Sequence, residues 1–81
     1  MYLTIQAPDN LIFEGKVEKL TLPGSAGTFQ VLKNHASLVT TLEHGHILYQ
    51  VGSKAHTLPV RQGIVEILDN QVNVFVETNF S

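Results

Sequence analysis

Val72, Val74 and Val76 alternate with Asn73, Phe75 and Glu77. A period of two suits a strand with one face buried, and a helix cannot sort its side chains that way. Asp69-Asn70, just upstream, is a pair that tolerates left-handed backbone, so it predicts a tight hairpin into that strand. Gly52-Ser53 predicts a second two-residue hairpin between segments 46–51 and 54–60. Similar short runs at 2–7, 11–14, 16–22, 28–32, 37–42 and 64–68 are bounded by turn chemistry such as Pro8-Asp9-Asn10 and Pro23-Gly24-Ser25-Ala26-Gly27. Gly15, Gly45 and Gly63 are expected to break strands. Composition agrees: Val, Ile and Thr supply nine, five and seven residues and Ala only four. β-branched side chains fit a pleated surface better than a helix. The prediction is an all-β, two-sheet sandwich of about ten short, mostly antiparallel strands, forming a single domain over residues 1–81.

The chain must hold together by packing alone. It has 81 residues and no cysteine, and a domain this small buries roughly 60–65% of its unfolded surface. Five basic and seven acidic residues leave a net charge of −2, which argues against nucleic acid as the main partner. No run approaches the ~18 apolar residues of a membrane span. The N-terminus has neither a basic nor an apolar leader pattern.

Chemistry is hard to find in the pattern. His44 and His46 stand two apart and would share a strand face, giving a metal-binding alternative, although Gly45 between them favours a turn. His56 reads as a cross-strand surface residue. His35 lies in a loop, in VLKNHASL, with no partner nucleophile. None of Ser25, Ser37, Ser53 and Ser81 sits in a nucleophile-elbow motif. The stretch Gly24-Ser25-Ala26-Gly27 lacks the lysine and helix of a phosphate loop. No cofactor is called for. The apolar residues Leu38, Val39, Leu42, Ile47, Leu48 and Tyr49 pose a different question: either all of them are core, or some face outward as an interaction patch.

The order of segments carries a resemblance. Phe13-Glu14-Gly15, then Gly24 to Gly27, the His35-Ala36 pair, a run of apolar and Thr residues, Gly63-Ile64-Val65-Glu66 and Asp69-Asn70-Gln71-Val72 occur in sequence. Together they resemble the N-terminal β-sandwich of the epsilon subunit of F-type ATP synthase, called delta in mitochondria. The resemblance implies a ten-stranded sandwich at the foot of the central stalk, in a non-catalytic rotor subunit that links the gamma subunit to the c-ring. It implies a peripheral location on the cytoplasmic face of a bacterial inner membrane. By position, Ala7, Pro8, His35, Ala36, Leu38, Thr40 and Leu42 would face gamma, and Ser25, Ala26, Gly27 and Thr28 the c-ring. Gln30, Lys33 and Ser37 replace residues that are Gly or Pro in many relatives, and Thr28 one that is acidic in some. Relatives continue into a two-helix hairpin while this sequence stops at Ser81, so hairpin-type inhibition is not expected.

Overall fold

The computed structural model describes residues 1–78. Nine strands follow one another among them: β1 (Tyr2–Ala7), β2 (Asn10–Lys16), β3 (Lys19–Gly24), β4 (Gly27–Val31), β5 (Leu38–Leu42), β6 (Gly45–Val51), β7 (Lys54–Val60), β8 (Gln62–Leu68) and β9 (Gln71–Glu77). The hydrogen-bonded order is β2-β1-β9-β8-β5-β3-β6-β7, with β4 on β3. β5 meets β3 through a single residue pair, Gly24 and Leu42. That joint divides the strands into a five-stranded layer (β2-β1-β9-β8-β5) and a four-stranded layer (β4-β3-β6-β7), continuous at one corner. All pairings are antiparallel except β1 with β9.

Both predicted hairpins close as expected. Gly52 has φ 60°, and Asp69 and Asn70 have φ 50° and 61°, with Val51 opposite Lys54 and Leu68 opposite Gln71. A tenth strand is not found among the described residues. The stretch between β4 and β5 turns instead, with Asn34 at φ 64° and the His35 N–H donating to Leu32 O at 3.2 Å. The glycines expected to break strands lie inside them: Gly15 in β2, Gly45 at the start of β6, Gly63 in β8.

The turn-rich stretch is shorter than predicted, because β3 runs through Pro23 and Gly24 and only Ser25-Ala26 form the turn. Pro23 is tolerated because β3 changes partners there, from β6 at Thr21 to β5 at Gly24. Its carbonyl accepts from the Glu43 N–H at 2.9 Å. A Cβ on Gly24 would stand 2.8 Å from both the Gly27 carbonyl oxygen and the Phe29 ring, so the corner requires glycine.

Between the layers lies one core of Leu3, Ile5, Val17, Leu20, Leu22, Val31, Leu42, Ile47, Val60, Val65, Ile67, Val72, Val74 and Val76, all buried. Each large aliphatic side chain removed from water contributes about 1.5–3 kcal/mol. Of the six apolar residues in question, Leu42 and Ile47 are core, Leu38 and Tyr49 half-buried, Val39 and Leu48 exposed.

Candidate protein interface

Strand alternation that buries Val72, Val74 and Val76 must push Phe75 outward, and Phe75 is 47% exposed. The registers place it in a row across the outer face of the five-stranded layer. Leu11 is opposite Gln6, Gln6 beside Phe75, Phe75 opposite Ile64, and Ile64 opposite Thr41. Leu11 and Ile64 are also exposed, at 54% and 42%. Val39 and Leu68, exposed on the same layer, add to the apolar surface. An open cleft of about 690 Å³ borders this row, lined by Ala7 and Pro8 on one side and Gln62, Gly63 and Glu77 on the other. Arg61 and Gln62 donate to the two Glu77 carboxylate oxygens at 2.6 and 2.7 Å, which fixes that rim.

The candidate contact residues are distributed unevenly. Ala7 and Pro8 lie on the cleft. Leu42 is 3% exposed and belongs to the core, although it also lines the cleft, so it offers a partner little surface of its own. Leu38 and Thr40 share its phase, paired with buried Ile67 and Val65. They line a smaller hollow of about 320 Å³ with Gly24, Ala26, Gly27, Thr28 and Phe29. The structure therefore brings Leu38 and Thr40 beside the loop assigned to the other partner. Ser25, Ala26, Gly27 and Thr28 are exposed. The Ser25 and Thr41 hydroxyls hydrogen-bond at 2.7 Å, and the Ser25 N–H donates to Thr41 O at 3.0 Å.

His35 is half-buried and Ala36 exposed. The His35 Nδ1 lies 2.7 Å from Ala36 O. Their loop is tied to the β8–β9 hairpin, since Asn34 N–H donates to Asn70 Oδ1 at 2.6 Å and Asn70 Nδ2 to Asn34 Oδ1 at 2.8 Å. His44 and His46 are exposed on either side of Gly45, and no group of three or more metal-ligating side chains forms among the described residues. His56 stacks on Tyr49 across β6 and β7, with centroids 5.2 Å apart. A hydrogen bond to Glu14 raises the Tyr2 hydroxyl above the usual tyrosine range, helped by partial desolvation and the carboxylate charge.

Sequence reasoning missed Leu11, Ile64 and Phe75. The available signal was phase: Phe75 is a large apolar residue on the polar beat of β9, and Ile64 on that of β8.

Proteins of known kind are similar to this chain in sequence and in fold. The ATP synthase epsilon chain of Leptospira interrogans is 37% identical over 75 residues, 93% of this chain and 59% of that one. The Nitratidesulfovibrio vulgaris epsilon chain is 36% identical over 78 residues, 96% of this chain and 58% of that one. The chain thus spans under two thirds of the length of these relatives. In the cryo-EM structure of the Euglena gracilis mitochondrial ATP synthase (OSCP, F1 and c-ring), one chain matches the fold with TM-score 0.85 at 23% identity, covering 91% of this chain and 48% of that one. A chain of the Tetrahymena thermophila mitochondrial enzyme's central stalk and c-ring matches with TM-score 0.77 at 16% identity, covering 93% and 61%. The family model for the ATP synthase delta/epsilon chain β-sandwich domain matches residues 1–80, and the chain belongs to that family.

Proposed function

We propose that this domain is the sandwich of a central-stalk rotor subunit, which links the gamma subunit to the c-ring and couples proton translocation to ATP synthesis. The role is non-catalytic. Torque has to pass through a body that resists shear, and two layers packed on one core do so. The observation that carries the reading is the exposed row Leu11, Phe75 and Ile64 beside the Ala7–Pro8 cleft. An apolar centre with a polar rim is the anatomy of a lasting protein interface. Gamma occupies this face, with His35 and Ala36 at its margin and Val39 and Thr41 contributing from β5. The Ser25–Thr28 tip, with Leu38 and Thr40 behind it, meets the polar loops of the c-ring. The complex lies against the cytoplasmic face of a bacterial inner membrane, as suits the bacterial relatives.

Binding of the domain to purified gamma subunit, read by biolayer interferometry, tests this. Changing Phe75→Ser and Ile64→Ser together should weaken binding by about tenfold or more, as loss of central apolar anchors does. The melting temperature should hardly move. Undiminished binding by a folded double variant removes gamma from this face.

A further inference from the structure

The apolar row is bordered on both sides by carboxylates. One row along, the same registers set Glu14 beside Thr4, Thr4 beside Asn73, Asn73 beside Glu66 and Glu66 beside Val39. On the other side Glu77 stands opposite Gln62, and Asp9 lies in the turn next to the Leu11 end. Against these four acids the border holds, among the described residues, one cation, Arg61, already paired with Glu77 at 2.6 Å. Glu14 accepts the Tyr2 hydroxyl. Of the seven acidic residues, only Glu18, Glu43 and Asp69 fall outside this border.

We infer that the face selects a partner ridge whose apolar seam is flanked on both sides by Lys or Arg. The inference rests on gamma being the occupant. The row crosses five strands, and four steps of about 4.8 Å make it roughly 19 Å long. That equals about three and a half helical turns at about 5.4 Å per turn. One face of a basic amphipathic helix has this length and profile. A second copy of the chain does not: pairing this face with itself would set carboxylate against carboxylate, which is unfavourable. Exposed pairs of this kind steer approach and exclude wrong partners more than they add affinity.

The test compares the wild-type domain with a Glu14→Gln/Glu66→Gln variant for binding to purified gamma subunit, at about 50 mM and about 300 mM NaCl. Melting temperatures serve as a fold control. At low salt the double variant should bind about three- to tenfold more weakly, mainly through slower association, and the gap should close at high salt. If the variant binds like wild type at both salts while Phe75→Ser/Ile64→Ser still abolishes binding, gamma uses this face but not its charges, and the inference falls. Tighter binding by the variant, or a dimer of the domain that Phe75→Ser/Ile64→Ser dissolves, also overturns it. If neither variant matters, gamma binds elsewhere and the proposed function itself loses its site.

Discussion

Leu42 and Val39 stand three positions apart on β5 and meet opposite surroundings. Leu42 is 3% exposed among core side chains, and Val39 is 63% exposed on the outer face. Leu42→Ser removes buried methyls and adds a hydroxyl, and should cost about 2–5 kcal/mol. That is a large share of the roughly 5–15 kcal/mol available to a native domain. Val39→Ser should stay within about 0.5 kcal/mol. Urea melts of the two variants check both values. Tyr2 carries the pH dependence that the structure specifies. Its folded pKa is raised, so the folded state favours the neutral phenol relative to the unfolded chain. The stabilisation is fully present below the unfolded value near 10 and is lost as pH rises through the higher folded value. Melting temperature should therefore fall more steeply above about pH 10 in the wild type than in Tyr2→Phe. Equal slopes would show that the Glu14 contact does not survive in solution.

Hairpins are the elements the sequence declares most openly, because a two-residue turn demands backbone angles that few residues accept. Asn70 does double service, holding φ 61° and pairing reciprocally with Asn34. Asn70→Ala loses both and should cost about 1–3 kcal/mol, while Asn70→Gly keeps the turn and should cost less. Denaturant midpoints rank the two, and equal losses would assign the whole effect to the amide pair. Strand identities and the alternation of β9 were legible for the same local reason. The course of β3 through Pro23 and Gly24 was not, since a proline and glycine read as a turn until β5 supplies the partner. Nor was the phase of β5, where Leu38, Val39 and Leu42 follow no single period. The contact set taken from position alone accordingly included Leu42. The apolar row was hidden because it runs across strands, joining residues as distant in sequence as Leu11 and Phe75.

At the scale of the molecule, the hairpin tip at Ser25-Ala26 and the apolar row belong to different layers joined by one residue pair. A charge introduced as Ala26→Glu should disturb proton-coupled ATP synthesis in membrane vesicles without moving the melting temperature by more than about 0.5 kcal/mol equivalent. Normal coupling would detach the tip from the c-ring. β7 ends in an exposed Pro59-bearing edge, which discourages further strand addition there. The parallel pairing of β1 with β9 has a practical consequence for anyone handling this domain. Tyr2 lies beside Gln71, and Gln6 beside Phe75, so the chain enters at the end remote from the cleft and leaves β9 at Glu77, on the cleft's own rim. An affinity tag or surface tether joined directly at Thr78, next to Glu77, would start from the rim of the proposed docking face and slow gamma's arrival. The same tag ahead of Met1 would sit at the opposite end, clear of the cleft and nearer the His35 loop that Asn34 ties to Asn70, and should slow capture less.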